Sequence, residues 1–505
     1  MNLYGRFDRQ FLKRLMSDGG MSRWLMNEQL RDRDGCTPLL CAVKRNADAN
    51  GDTPLHHAVN DGSAPIANSL LMVKLLLCFG ADLDVRNNSG QTPDGVPYID
   101  EKIATVLRRA KTWSQRKGAS ELSKAKTKKI HKAALARVRR EQQRLAMDYQ
   151  RERAAKDKGR GDALRLLSLD GGGIRGLVII QILLELERMA DGGGNTQNKE
   201  KKKYNFLRRH FDFVAGTSTG AILALALADG TPLVDCLRLY LKLKDDVFGP
   251  EAKESRFGGY KPEHLEKFLQ DHFGKERKMS DIRCGKMKVF ATATDARKIP
   301  VQLVLFRNYY SPFVASTEHS HESVCVWTAA RCSSAAPTYF SNVGGLIDGG
   351  IYANNPSNEL LNEIHLHNKW AKMNKEQPEK DINFMLSIGT GKMPPRDVDN
   401  IDVTFQPTVS SLVRSLDAFN NLKTIMLNQV TNSDGPAVEL ARTFCHDKKI
   451  PFFRITPQLK SEIKLDTTDN TKIIKMMWKA KAFVSEWAEG VADLVDLLRA
   501  TENDE

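Results

Sequence analysis

The 505-residue sequence has no pair of cysteines in a C-x-x-C arrangement. Its eight cysteines are scattered, which argues against a zinc site and fits thiols kept reduced. No apolar run approaches the roughly 18 residues that a membrane-spanning helix needs. The N-terminus mixes charged and aromatic side chains and lacks the apolar core of a signal peptide. These absences predict a cytoplasmic chain without a metal, whose contact with membranes is peripheral.

Positive charge is concentrated in one stretch of the chain. The formal net charge is +14, and residues 101–160 are rich in Lys and Arg. No proline occurs between Pro97 and Pro232, so a long helix is allowed. Because its apolar stripe is narrow, we expect a solvated basic helical linker over residues 101–162. The alternative is an electrostatic tether to an anionic phospholipid surface. Nucleic acid is not expected, since aromatic side chains that stack on bases are nearly absent there.

A short motif recurs ahead of this stretch. DGCTPLLCA at residues 34–42 is echoed by NGDTPLHHA at residues 50–58, and a third echo, SGQTP, begins at Ser89 and breaks off. With the run LLLCFGAD that ends at Asp82, these features resemble ankyrin repeats. The resemblance implies a partial, all-α ankyrin-like region over residues 31–100, which could bind a protein partner.

The repeats are irregular and few. Thr37 and Thr53 are 16 positions apart, about half of an ankyrin repeat, so the first unit is truncated. A stable solenoid normally needs about three units, so we expect this region to lean on another surface or to be a shortened remnant of a longer array. His56 and His57 are interpreted as framework residues of the repeat. The preceding segment, residues 1–30, carries no usable motif.

A nucleophile-elbow pattern lies between residues 211 and 228. A β-prone apolar run ends at Gly216-Thr-Ser-Thr-Gly220, and an Ala/Leu-rich helix former follows without a gap. The glycines permit backbone geometry that other residues resist. The first helical amides after Ser218 would place a positive dipole where an oxyanion forms. Ser218 is therefore a candidate nucleophile.

A glycine-rich turn precedes the elbow. A predicted strand runs into Asp170-Gly-Gly-Gly-Ile-Arg-Gly176, and a helix follows. Such a turn presents bare N–H groups that can cradle an anion. Dinucleotide binding would require an acidic residue about 20 positions further on, at the end of a second strand. Because Glu185 and Glu187 fall inside the helix instead, dinucleotide binding is not favoured. The elbow serine follows on the next strand, so we predict an oxyanion hole here and no cofactor.

A candidate base and a long helix lie further along the chain. The apolar strand at residues 346–348 ends in Asp348, followed by Gly349 and Gly350. Asp-Gly-Gly is also a common turn signal, so this motif alone is not specific. Near the C-terminus, apolar residues at three- and four-residue steps over 473–498 predict one long amphipathic helix, interrupted only by Gly490.

Taken together, the motifs resemble those of patatin-like phospholipases. Four occur in that family's order: DGGGIRG at 170–176, GTSTG at 216–220, SAAP at 334–337, and DGG at 348–350 with NNP at 354–356. Ankyrin-like units ahead of such a domain are similar to the calcium-independent (group VI) phospholipase A2 branch, although that branch usually carries more units. The resemblance implies an α/β fold: a three-layer α/β/α catalytic domain over residues 163–361, completed by residues 362–505.

The resemblance also implies a mechanism. Ser218 would be the nucleophile and Asp348 its base in a Ser–Asp dyad, hydrolysing a fatty-acyl ester of a glycerophospholipid through an acyl-enzyme. No metal or cofactor is implied. The oxyanion hole would comprise Gly171, Gly172, Gly173, Arg175, Gly176 and Thr219. The motif glycines would be Gly216, Gly220, Gly349 and Gly350. Arg175 could meet the lipid phosphate or form a structural salt bridge.

Two alternatives stay open at this point. An α/β-hydrolase would use a Ser–Asp–His triad, for which His365, His367 and His446 are available after Asp348. The second alternative is an inert ankyrin-type scaffold that only binds partners or membranes. The sequence leaves a homo-oligomer possible and does not identify which acyl ester would be cut.

Overall fold

The computed structural model describes residues 47, 50–60, 65–114, 134–156, 163–191, 206–254, 259–282, 287–313, 319–374, 379–394, 432 and 434–500. Within these residues, seven strands form one mixed sheet in the order β4-β3-β2-β1-β6-β7, with β5 paired to β3. The strands are β1 Leu164–Leu169, β2 Phe213–Thr217, β3 Lys288–Asp295, β4 Gln302–Arg307, β5 Leu346–Asp348, β6 Ile382–Ile388 and β7 Phe452–Ile455.

Helices surround this sheet and form the N-terminal region. Those before the third strand are α1 Pro54–Asn60, α2 Ile66–Cys78, α3 Glu101–Ser114, α4 Ala134–Lys156, α5 Gly176–Ala190, α6 Phe206–His210, α7 Thr219–Ala228, α8 Leu233–Asp246 and α9 Pro262–Phe273. The later ones are α10 Val326–Ser333, α11 Gly350–Ala353, α12 Ser357–Asn374, α13 Pro436–Asp447, α14 Asn470–Glu486 and α15 Ala488–Ala500.

The sheet is covered by helices on both faces. Strands β1, β2, β3, β6 and β7 are parallel to one another, and such strands read as nearly continuous apolar runs because both faces are buried. Leu167 of β1 packs in the core that includes α5, α7 and α14, while its neighbour Leu166 packs in the core of α12 and α13. Successive side chains of a strand point to opposite faces, so these two cores are two layers. The predicted three-layer α/β/α fold is confirmed.

The ankyrin-like unit is a helix pair built around one histidine. The Nδ1 atom of His56 accepts the backbone N–H of Thr53 at 3.1 Å, and its Nε2–H donates to the carbonyl oxygen of Gln91 at 3.0 Å. The ring therefore connects the start of α1 with the following loop, as a framework residue does. The third echo forms only a short 3-10 turn, Pro93–Gly95, before α3 begins.

The helix pair leans on the catalytic part of the chain, as expected for so few repeats. Helix α2 packs on α14, which in turn packs on α5. Helix α3 buries Trp113, whose ring lies 5.3 Å from that of Trp478 on α14. Arg109 of α3 forms an ion pair with Glu486 at the end of α14. Helix α3 is therefore part of this packed unit, and the expectation of a solvated helix is wrong for residues 101–114.

Helix α4 also has a packed face, which the narrow apolar stripe did not predict. Met147 is buried, and two glutamines form hydrogen bonds with backbone groups near the edge of the sheet. Gln143 Oε1 accepts the N–H of Phe452 in the outermost strand β7, at 3.0 Å. Gln150 Nε2 donates to the carbonyl oxygen of Ile382 at 3.4 Å. Because an edge strand has unpaired backbone groups, amide side chains can attach a helix there by hydrogen bonds in addition to apolar contacts.

The predicted single C-terminal helix is two helices. Helix α14 ends at Glu486, and Trp487 departs from helical geometry with ψ 85° before α15 begins. The break lies three residues before Gly490, where an added Cβ would sit 2.6 Å from the Trp487 ring. Both helices bury their apolar stripes in the core. None of the described helices is long and apolar enough to cross a membrane.

Candidate active site

Two strand ends meet head to head beside β3. Strand β2 runs parallel to β3 and ends with Thr217 opposite Thr292. Strand β5 runs antiparallel to β3 and ends with Asp348 opposite Ala293, the next position along. Because β4 occupies the other side of β3, β5 must lie on the β2 side, just beyond the end of β2. The register therefore brings Ser218, the residue after Thr217, to Asp348.

Ser218 stands at a strained turn. It has φ 54° and ψ −121°, a conformation that costs a non-glycine residue of order 1–3 kcal/mol. An added Cβ on Gly216 would lie 2.4 Å from the carbonyl oxygen of Gly220, and one on Gly220 would lie 2.4 Å from that of Leu169. The two motif glycines thus allow the strand, the turn and helix α7 to pack closely. The N–H of Ser218 donates to Ser333 Oγ at 2.8 Å, which helps to hold the turn.

The serine hydroxyl is hydrogen-bonded to the aspartate. Ser218 Oγ donates to Asp348 Oδ2 at 2.7 Å, and the N–H of Gly350 donates to Asp348 Oδ1 at 2.7 Å. Burial raises the pKa of Asp348 to about 6, although these two hydrogen bonds act to lower it. Gly349 is required for the approach to β3, because its added Cβ would lie 2.3 Å from Thr292 Oγ1. A carboxylate with this pKa is ionised at neutral pH and is a better base than an exposed one.

The glycine turn lies directly against Ser218. An added Cβ on Gly171 would lie 3.2 Å from the Cβ of Ser218. The N–H of Gly171 donates to the carbonyl oxygen of Asn354 at 3.1 Å, which anchors the turn. The N–H groups of Gly172 and Gly173 donate to no acceptor among the described residues. Gly173 has φ 57°, which glycine adopts readily. The turn thus presents two unoccupied donors beside the serine.

The other predicted residues of this site surround the cradle. Thr219 lines the cleft, and its N–H likewise has no acceptor within the described part of the chain. Arg175 is 2% exposed and lies outside the cleft lining, and its Nε donates to the carbonyl oxygen of Gly172 at 3.2 Å. Gly176 lies behind the turn, where an added Cβ would contact the Tyr240 ring at 2.3 Å. Arg175 and Gly176 therefore brace the cradle and do not line it.

An apolar cleft opens over Ser218 and Asp348, which both belong to its lining. Its empty volume is about 710 Å³, including space that is open to solvent. Most of the other lining residues are apolar or aromatic, among them Ile222, Leu243, Phe248, Leu265, Phe340 and Ile351. Such a lining suits an acyl chain, and its low polarity accounts for the raised pKa of Asp348.

No histidine belongs to the described lining of this cleft. His446 lies on α13 with its Nδ1 atom 3.0 Å from Gln142 Oε1 of α4. His367 pairs with Glu363 on its own helix, α12, and His365 is exposed there. The partner of Ser218 Oγ is a carboxylate, so the geometry favours the dyad over the triad. Among the described residues, no cluster of His, Cys, Asp or Glu could hold a metal ion.

Sequence reasoning missed three polar residues of the site. Ser333 accepts the N–H of Ser218, and Thr390 Oγ1 donates to the carbonyl oxygen of Gly171 at 3.1 Å. Arg454 holds Asp170 at the start of the glycine turn. The sequence did indicate that Arg454 has a buried partner, because it is the one charged residue in the apolar strand FFRI. Ser333 is the last residue of α10, and Thr390 lies between Gly389 and Gly391 just after β6. In the sequence both places look like ordinary turns.

Comparisons with known proteins agree with this fold. Residues 167–361 match the family described as Patatin-like phospholipase, and residues 50–88 match the ankyrin repeat. The chain therefore contains a patatin-like phospholipase domain and an ankyrin repeat ahead of it, as the motifs predicted.

The similar curated proteins are phospholipases. The mouse 85/88 kDa calcium-independent phospholipase A2 is 35% identical over 345 residues, covering 66% of this chain and 40% of the relative. The Intracellular phospholipase A2 of Caenorhabditis elegans is 31% identical, covering 68% and 30% respectively. The rat Calcium-independent phospholipase A2-gamma is 30% identical, covering 68% and 41%. This chain spans well under half the length of these relatives.

The buried aspartate predicts a pH dependence of stability. Folding raises the pKa of Asp348 from 3.8 to about 6, so between these values the folded state holds a proton that the unfolded state has lost. The contribution to the free energy of unfolding is therefore present at low pH and falls as pH rises through about 6. Relative to Asp348→Asn, the wild type should lose up to about 3 kcal/mol between about pH 4 and pH 7. Urea unfolding measures this, and parallel pH profiles would contradict it.

Proposed function

We propose that this protein is a phospholipase A2-type acyl hydrolase that cleaves a fatty-acyl ester of a glycerophospholipid without calcium. The observation that carries the proposal is the 2.7 Å hydrogen bond from Ser218 to the buried Asp348, at the base of an apolar cleft. The names of the curated relatives support the substrate class and the independence from calcium.

The first half of the reaction forms an acyl-enzyme. Ser218 Oγ attacks the ester carbonyl carbon while its proton passes to Asp348 Oδ2. The developing oxyanion accepts hydrogen bonds from the N–H groups of Gly172 and Gly173, with that of Thr219 close by. One such donor is typically worth a factor of about 10²–10³ in turnover. The intermediate collapses when Asp348 returns the proton to the alcohol oxygen, and the lysophospholipid leaves.

The second half hydrolyses the acyl-enzyme. A water molecule attacks the acyl carbon and gives its proton to Asp348, and the same N–H groups stabilise the second oxyanion. Collapse breaks the bond between the acyl carbon and Ser218 Oγ, and the proton returns to the serine. The fatty acid then leaves. Both nucleophilic attacks need Asp348 ionised beforehand and leave it protonated, and both collapses return it to the ionised form. A pKa of about 6 allows this exchange at neutral pH.

The proposal predicts a specific pattern among three variants. Phospholipid vesicles in the presence of a calcium chelator serve as substrate, and fatty-acid release is measured. Ser218→Ala and Asp348→Asn should each lower the rate by at least about 10³-fold, because each removes one partner of the proton transfer. His446→Ala, on a helix outside the cleft lining, should leave the rate within about twofold of the wild type.

The other outcomes identify the alternatives. Loss of activity in His446→Ala would favour a Ser–Asp–His triad. A loss of release in the chelator that added calcium restores would contradict calcium independence. No release from the wild type under any condition would favour a scaffold that binds membranes or partners, with the ankyrin-like unit as the binding element.

We further propose that the basic stretch contacts an anionic membrane surface. The described arginines of α4 are largely engaged in ion pairs, as Arg144 is with Glu141 and Arg153 is with Asp381. The proposal therefore rests on the lysine-rich residues 115–133, which lie outside the described residues. Each basic residue near such a surface contributes about 1 kcal/mol to binding.

Vesicle binding should accordingly depend on salt and on these lysines. Replacing Lys124, Lys126, Lys128 and Lys129 by Gln should weaken binding to anionic vesicles by about 10²-fold or more at low ionic strength. Raising the salt concentration should weaken binding of the wild type as well. Sedimentation with vesicles measures both effects, with uncharged vesicles as the control. Binding that neither salt nor the substitutions change would contradict the proposal.

A further inference from the structure

A buried ion pair lies behind the glycine turn, outside the dyad and the cleft lining. Asp170, the residue just before the turn, is 0% exposed. Arg454 of β7 donates Nη1–H to Asp170 Oδ1 at 3.0 Å and Nη2–H to Asp170 Oδ2, so the guanidinium grips the carboxylate with both of its ends. We infer that Arg454 is a positioning residue that holds the oxyanion donors in register with Ser218. The inference rests on the proposed function.

The pair belongs to a polar cluster that joins three strand ends. Ser387 Oγ of β6 accepts from Arg454 Nη1 at 2.8 Å and from Asn355 Nδ2 at 2.9 Å, and Asn355 Nδ2 also lies 2.7 Å from Asp170 Oδ1. An added Cβ on Gly389 would lie 2.7 Å from Arg454 Nη2, so that glycine leaves room for the guanidinium. The ends of β1, β6 and β7 are thus held together by one cluster.

The same cluster reaches the segment that carries the base. Asp348 begins this segment, and Asn354 and Asn355 end it. Asn354 accepts the N–H of Gly171 through its carbonyl oxygen, while Asn355 contacts Asp170. One end of the segment therefore supplies the carboxylate to Ser218, and the other end holds the turn that supplies the oxyanion donors. A shift of Asp170 would move those donors relative to both catalytic oxygens.

The buried negative charge of Asp170 makes this arrangement sensitive to the loss of Arg454. A buried carboxylate that loses its partner must take up a proton or move towards water, because an unpaired buried charge is strongly disfavoured. Either response frees the backbone between Asp170 and Gly173. Lysine keeps the positive charge but cannot make the two-ended contact, so Arg454→Lys tests the geometry more than the charge.

A control for Arg454 lies at the start of β1, the strand that Asp170 follows. Arg165, near the start of β1, is also buried and makes a two-ended contact with Asp212, with Nε donating at 2.8 Å and Nη2 at 2.9 Å. Arg165→Lys removes the same kind of two-ended contact, but at the N-terminal end of β1, whereas Asp170 and the glycine turn follow its C-terminal end. Because Asp212 is 25% exposed and Asp170 is fully buried, the two variants are compared by their rates per labelled site and not by their stability.

The experiment uses the whole 505-residue chain and a fluorophosphonate probe. Ser218 Oγ attacks the phosphorus, the P–F bond breaks, fluoride leaves, and the hydroxyl proton passes through Asp348 to water. The total labelled fraction counts correctly folded sites, and the rate of labelling reports on the oxyanion donors, which also stabilise the phosphoryl oxygen. Hydrolysis of a soluble short-chain ester is measured in parallel, and kcat is expressed per labelled site.

Arg454→Lys should lower kcat and the labelling rate by about 10-fold, and Arg454→Gln by about 10²-fold, the effect of a misplacement of about 1 Å. KM should change little, since the cleft lining is intact. Arg165→Lys should keep both rates within about twofold of the wild type, even if its thermal midpoint falls as much as that of Arg454→Lys. Equal losses in the two arginine variants, or rates within twofold for Arg454→Gln, would overturn the inference. A wild type that labels but releases no fatty acid from vesicles would overturn the proposed function alone.

Discussion

The meeting of β2 and β5 on one side of β3 is the constraint on which the rest of the site depends. It brings together two residues that are 130 positions apart in the chain. Strand β5 has only three residues, so its position needs further support. The N–H of Asp348 donates to the carbonyl oxygen of Ala335 at 3.0 Å, and Thr294 Oγ1 donates to the carbonyl oxygen of Asp348 at 3.0 Å. A shift of one residue would turn the carboxylate to the other face of the sheet.

Close backbone packing and burial then give this meeting point its chemistry. Glycines at the elbow, at the cradle and after Asp348 remove the side chains that would keep these backbones apart. The result is a densely packed site beneath an apolar cleft. In it a carboxylate has a raised pKa, and backbone N–H groups have no competing acceptor among the described residues. The features that make the site costly to fold, a strained serine and a buried acid, are the ones that the proposed reaction uses.

How much of this could be read from sequence depended on how local each feature is. Ser218, Asp348 and the glycine turn were predictable because each lies in a short motif that encodes its own turn. The contacts of Ser333, Thr390 and Arg454 were not, because their partners lie far away in the chain and their neighbours resemble ordinary strands and turns. The packing of α3 was missed although its buried face follows helical spacing, because the basic composition of residues 101–160 as a whole outweighed it; that face comprises Ile103, Val106, Leu107, Ala110 and Trp113. The packing of α4 was missed because glutamines supplement a narrow apolar stripe beside an edge strand. The break at Trp487 depended on tertiary packing that periodicity does not report.

The pH dependence of kcat/KM on a soluble short-chain ester tests most directly whether Asp348 is the base. If Asp348 is the base, kcat/KM should rise by about tenfold per pH unit below pH 6 and level off above it, as one carboxylate with a pKa of about 6 ionises. His446→Ala should show the same midpoint. A midpoint near 7 that disappears in His446→Ala, or a rate that is flat between pH 5 and pH 7, would contradict the assignment of Asp348 as the base.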